Sequence, residues 1–497
     1  MKRCFTIAII FQAAAAIPLL LCLSGCARPA ESSGDIGKEN RLPEIYPDFT
    51  NIAVPINIAP VNFRINEPGD RFRVRISGVA GRAISMISRR PDVRIGAKAW
   101  RKLLEDNAGD TITISVEIGD GNGWRRFEGI RNYVSPDSID PFMVYRDIAP
   151  ADGLWNRMGM QQRNLETFEE TEIINNYRIE HNCMNCHTFH KNNPARFLFH
   201  VRGSRGGTVF YNNGKLGKKA FPVPEVLSHG AYCQWSPNGR LVAFAVNNIR
   251  QNYYITGHER KMKEVFDLES DIVLYDTDAG NVFTFPQIST EQRENLPAWS
   301  AGGETLYFVS AWPHAPNTPN EEALYSLMQA GFDVGEMKLG EPSVLLAAEE
   351  VGGSISFPTV SPDGRFMLFC VTDFGYFPVT NKTADIYIMD LKTNEYRRPA
   401  INSDESESYM SWSSSGRWFV FSSRRLDGMN SRPFVCHVDE LGNISKPFVV
   451  PQESPDYYET DHRNFSRPEL IKGPIPLRFN DLAGAIFSEP EMIGVKN

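Results

Sequence analysis

The chain has 497 residues, 42% of them hydrophobic and 23% charged, and a formal net charge of −8. That length and apolar content supply material for two or three packed domains and exclude a disordered polymer. The acid excess, with no long basic run, speaks against nucleic acid as a partner.

At the N-terminus, Lys2 and Arg3 precede an apolar run from Phe5 to Leu23, and small residues lead into Cys26. This is the outline of an export signal over residues 1–25. The run is short for a membrane span and contains Gln12 and Pro18. Leu23-Ser24-Gly25-Cys26 resembles the lipobox of bacterial lipoproteins, which implies cleavage before Cys26 and acylation of its thiol. Processing removes two basic residues and no acidic one, so the mature body is more acidic still. The expectation is a lipid-anchored protein of the cell envelope, facing the periplasm or the exterior, with the outer membrane favoured.

Residues 26–45 are polar and read as a flexible tether. From 46 to 150, "RFRVRISG" and "TITISVEIGDGNGWRRFEGI" alternate apolar and polar residues around Gly, Asp and Asn turns, which predicts half-buried antiparallel strands. A short helix is expected near Ala97 to Glu105. The texture is similar to small β-sandwich domains of the fibronectin type III or immunoglobulin class.

Residues 151–194 are polar with spaced apolar positions, among them Trp155, Met158 and Ile173, and are expected to form a helical linker. The linker carries Cys183-Met184-Asn185-Cys186-His187, a C-x-x-C-H, the attachment pattern of a c-type haem. On a helical turn, Cys183 and Cys186 can each form a thioether with one covalent haem, and His187 can then present its imidazole to the iron as proximal ligand. For the sixth position His229 is the first choice, followed by His200 and His462, with Met158 and Met160 as thioether options. His181 and His190 lie too close to His187 to reach the opposite face. A zinc site from Cys183, Cys186, His187 and His190 would be crowded, and a redox disulfide lacks its usual βαβ setting. Cys233, Cys370 and Cys436 fall at strand positions and read as small buried hydrophobes.

Four segments of the second half align. They are Trp235-Ser-Pro-Asn-Gly239, Trp299-Ser-Ala-Gly-Gly303, Val360-Ser-Pro-Asp-Gly364 and Trp412-Ser-Ser-Ser-Gly416, each with a Phe nine residues after its first position. Each predicts a strand end, a turn whose Gly takes a positive φ, and a second strand. Further strand pairs follow at Asp271–Asp276 and Asp385–Asp390. Four strands per unit, repeating every 52 to 64 residues, fit propeller blades better than a sandwich. The W-S-P-D-G hairpins resemble those of TolB-like β-propellers. The fold class expected is therefore mostly β, with a propeller of about six blades over 195–485 behind the sandwich and the haem-bearing linker.

No G-x-S-x-G, H-E-x-x-H or phosphate-binding glycine motif occurs, so no catalytic constellation is found beyond a redox haem site. Two functions are expected from these features. One is a membrane-tethered mono-haem cytochrome passing single electrons to or from a redox partner protein. The alternative is a TolB-like binding or scaffold lipoprotein for a protein or envelope polymer, its haem structural or sensory.

Overall fold

The computed structural model describes residues 36–121, 123–149, 157–221, 230–253, 263–313 and 323–496. In the first domain the alternation of the sequence becomes a two-sided sheet. Phe72, Val74 and Ile76 of Arg71–Ser77 and Ile112, Ile114 and Val116 of Thr111–Gly119 are buried, while the residues between them face outward. The two strands pair antiparallel, Val74 opposite Val116, within a seven-stranded sheet. A three-stranded sheet supplies Phe63 and Val93 to the same core, and the helix Ala97–Asp106 adds Trp100 and Leu104.

The remaining sheets make a six-bladed propeller. Its inner strands, in ring order, are Asn464–Ile471, Cys183–Phe189, Ala231–Trp235, Arg293–Trp299, Ser354–Val360 and Glu407–Trp412, numbered here as blades 1 to 6. Each lies beside the next, and the sixth returns to the first. The four repeat glycines have φ between 68° and 89°, as their hairpin turns require.

The linker differs from its expectation. Met158–Asn164 and Glu170–Asn175 are strands and not a helix. With Phe142–Ile148 and the distant Asn464–Ile471 they form blade 1, so the propeller begins near residue 142 and closes by pairing its two ends. The physical reason is that these strands are completed by a partner about 320 residues away, which no local periodicity reports. The C-terminal tail then clasps the ring. Glu491–Met492 adds to the outer edge of blade 2 and Gly494–Lys496 to that of blade 3, both in parallel.

The two domains share one core. Trp418 of blade 6 is fully buried in the cluster that also holds Phe63 and Trp100, and its indole N–H donates to the carbonyl of Asp137 at 3.0 Å. Beside it, Asp140 accepts hydrogen bonds from the Ser414 backbone N–H at 2.7 Å and hydroxyl at 2.6 Å.

Candidate functional site

The site is the propeller's central channel, and a repeated backbone irregularity builds it. Every inner strand carries a bulge with one non-glycine residue in the left-handed region: Cys186, Tyr232, Leu296, Phe357, Tyr409 and Arg467, with φ from 47° to 53°. Each stands three residues before the first position of its hairpin repeat. Phe189 and Leu470 therefore mark the equivalent positions in blades 2 and 1, where the tryptophan is absent and, in blade 1, the paired strand is Phe142–Ile148. Left-handed conformation at bulky residues is costly, and six equivalent cases in one ring mark a feature the fold imposes.

The aromatic bulge side chains of blades 3, 5 and 6 meet at the channel's waist. Tyr232 meets Phe357 with ring centroids 5.5 Å apart, Phe357 meets Tyr409 at 5.0 Å, and Tyr232 meets Tyr376 at 5.9 Å. Below this plug Asp267 is buried, receiving the side-chain amides of Asn247 at 3.0 Å and Asn295 at 2.5 Å and the Tyr325 hydroxyl at 3.4 Å. Burial raises its pKa to about 6, against the pull of those donors.

Above the plug lies a cavity of about 360 Å³ to which all six blades contribute. Phe357, Tyr409 and Arg467 belong to its floor, and His190, Lys191 and Lys472 bring polar groups to it. Trp235 and Trp412 reinforce the wall by donating their indole N–H groups to the preceding blade, to Thr188 O at 3.4 Å and Thr359 O at 3.2 Å. Glu469 accepts the Phe189 N–H at 2.8 Å, and burial raises its carboxyl to about 7. His187 is buried with its Nε2 3.9 Å from Glu469; burial first, then Arg467 and Arg146, lower its pKa to about 3, so the ring is neutral.

The structure places the C-x-x-C-H on the inner strand of blade 2 and not on a helical turn. Cys183 packs in the cluster between blades 1 and 2, with Met158, Met160 and Met184. Cys186 sits in the cluster between blades 2 and 3, against Cys233 and Trp235. Two thioethers and an axial imidazole must converge on one macrocycle, and in this arrangement they diverge, so no step through a haem is derived from it. Among the described residues no group of three or more His, Cys, Asp and Glu is placed to hold a metal ion.

The other candidates are dispersed. Met158 accepts the Met184 N–H through its sulfur at 3.3 Å. His200 is buried on the neighbouring strand against Thr208, 3.0 Å away, and His190 reaches Pro237 O at 3.0 Å. His181 packs on Tyr177, and His462 is exposed. His229 and Cys26 lie outside the described residues. Cys233, Cys370 and Cys436 are fully buried. Sequence reasoning missed Tyr232, Phe357, Tyr409, Arg467 and Glu469. The fixed offset from the hairpin repeat was the signal that could have found Tyr232, Phe357 and Tyr409; Arg467 and Glu469 lie on a strand with no local repeat to mark them.

These features define a six-bladed β-propeller with a cavity at its channel mouth. No family profile and no curated protein matches the chain. Among solved structures it is similar to TolB from Acinetobacter baumannii, at 11% identity over 76% of this chain and 85% of that one, with a TM-score of 0.41. It is also similar to a chain of a nidogen/laminin complex, at 7% identity over 67% and 100% with a TM-score of 0.39, and to the tricorn protease, at 14% over 69% and 34% with 0.38.

Proposed function

We propose that this chain is a binding protein of the cell envelope, whose channel mouth receives a short segment of a partner protein or envelope polymer. One observation carries the reading: a cavity lined by all six blades, with the bulge residues Phe357, Tyr409 and Arg467 at its base. Such a recess offers apolar rings, the lysines Lys191 and Lys472, and Arg467 and Glu469 to an entering chain, but no nucleophile poised beside a base among the described residues. The lipobox-like Leu23–Cys26 supports an anchor in the envelope. No helix among the described residues is long and apolar enough to cross a membrane.

The test is site-specific photocrosslinking in cells, with the reactive side chain at Ser300 or Ser414 on the mouth, or at Glu440 on an outer turn. A discrete adduct formed only from the mouth positions, and lost when Lys191 and Lys472 are both replaced by Glu, is the expected result. Equal adducts from Glu440 would sink the reading.

A second reading rests on the C-x-x-C-H itself: a covalent haem c held by Cys183 and Cys186, serving electron transfer with a redox partner. Its test is an absorbance spectrum of protein expressed with a haem-attachment system. A Soret band that survives denaturation and solvent extraction supports it, and its loss removes it.

A further inference from the structure

One face of the first domain is strongly basic although the chain is acidic as a whole. Strand alternation makes it so, because with Phe72, Val74 and Ile76 turned into the core, Arg71, Arg73 and Arg75 stand on the opposite side. Cross-strand register extends the pattern. Arg73 lies opposite Glu117, Glu117 opposite Arg126, and Arg131 opposite Thr113, the neighbour of Ser77. Five guanidiniums thus share the face with Glu117, which Arg73 and Arg126 both engage, at 2.7 Å and 2.5 Å, and exposed Glu128 stands beyond Arg126 at its margin. Asp70 touches Arg71 only from the strand's end, at 3.4 Å. Trp124 lies under Arg71 and Arg73, whose guanidinium carbons are 5.4 Å and 4.4 Å from its ring centre, and Tyr133 on the same face is 41% exposed.

The path of the chain points to what covers this face. Ile36–Lys38 is an edge strand of the same sheet, paired in parallel with Trp124–Arg126. From Cys26 to Ile36 there are about ten residues, which can span at most about 35 Å. An acyl chain on Cys26 would therefore hold the basic sheet close to the bilayer.

We propose that this sheet face docks on an anionic phospholipid surface and thereby sets the orientation of the propeller above the membrane. Guanidiniums pair with headgroup phosphates through two parallel N–H bonds, and Trp124 and Tyr133 suit the interfacial layer. The tether in this inference rests on the lipoprotein reading; the basic face does not.

The test uses the processed chain from residue 26 with Cys26→Ser, which carries no acyl group. It is sedimented with vesicles of phosphatidylcholine alone, or of equal parts phosphatidylcholine and phosphatidylglycerol. Binding is expected only to the anionic vesicles and is expected to weaken with salt. Arg75→Glu with Arg131→Glu should lower it by at least about five-fold per residue. Lys338→Glu with Lys392→Glu, the same charge change on the propeller, should leave it unaltered. Binding indifferent to lipid charge, equal loss in both double variants, or tighter binding to an acidic polysaccharide than to the vesicles would each overturn the proposal. Circular dichroism and melting of the variants separate misfolding from lost contact. The tether is read separately, from the intact mass of chain extracted from bacterial membranes. An unmodified Cys26 removes the lipoprotein reading and leaves the vesicle result standing. An acylated chain whose soluble form ignores anionic vesicles sinks the docking face alone.

Discussion

The ring of Tyr232, in blade 3, meets the ring of Phe357, in blade 5, at 5.5 Å, with blade 4 skipped between them. Such a contact passes in front of blade 4 inside the channel, so side chains and not only backbone narrow it there. The left-handed bulge at each position turns the side chain inward to make it.

Removing one member of the plug should cost both stability and separation of the two channel ends. Phe357→Ala is expected to destabilise the protein by about 1–3 kcal/mol, less than for a fully buried ring because Phe357 is half-buried and faces the cavity. Denaturant unfolding measures the first effect. A crystal structure of the variant, showing the mouth cavity enlarged toward Asp267, measures the second; an unchanged cavity would mean that neighbouring rings collapse into the space.

Asp267 should impose a pH dependence. Its carboxyl has a pKa of about 6 when folded, above the ordinary 3.8, so the folded state binds the proton more tightly than the unfolded state does. Its contribution to stability is present below pH 3.8 and is lost as pH rises through about 6. Asp267→Asn abolishes that slope. Relative to wild type, the variant should gain on the order of 2–3 kcal/mol between about pH 4 and pH 8, read from parallel urea titrations.

The repeat tryptophans should not be equivalent. Trp412 donates its indole N–H to Thr359 O at 3.2 Å, whereas the buried indole nitrogen of Trp299 has no hydrogen-bond partner among the described residues. Trp412→Phe is therefore expected to cost about 1 kcal/mol more than Trp299→Phe, the worth of one buried hydrogen bond. Equal losses would show that ring packing alone governs both sites.

Trp418 joins the first domain to the propeller through a continuous core. Unfolding followed by a probe in either domain should give one coincident transition. Trp418→Ala, which also removes the bond to Asp137 O, should lower stability by about 3–5 kcal/mol and separate the two transitions.

Several of these features are legible in the residues themselves. Trp235, Trp299, Val360 and Trp412 mark their hairpins because the turn glycine and the following apolar strand are local requirements, met within one short hairpin. Phe189 heads its hairpin without the tryptophan or the turn glycine, and Leu470 heads none, because its strand pairs with Phe142–Ile148 far back in the chain, so neither carries a local signature. The C-x-x-C-H is visible as a spacing, but spacing does not specify a backbone. In the strand of blade 2, Cys183 and Cys186 fall into different clusters, where a helical turn would bring them together.

What short-range physics controls was written into the residue order: alternation in Arg71–Ser77 and Thr111–Gly119, turn glycines, and a repeat whose units must stack to bury both faces. What depends on residues far apart in the chain was left to the assembled fold. Pairing of Phe142–Ile148 with Asn464–Ile471 closed the ring and made the linker a blade. Register gathered Arg73, Arg126 and Arg131 on one face. Six inner strands converging on one axis set Tyr232, Phe357, Tyr409 and Arg467 around a common channel. Contacts of that separation are fixed by which strands find each other, and the packing energy that selects them belongs to the complete core and not to any one segment.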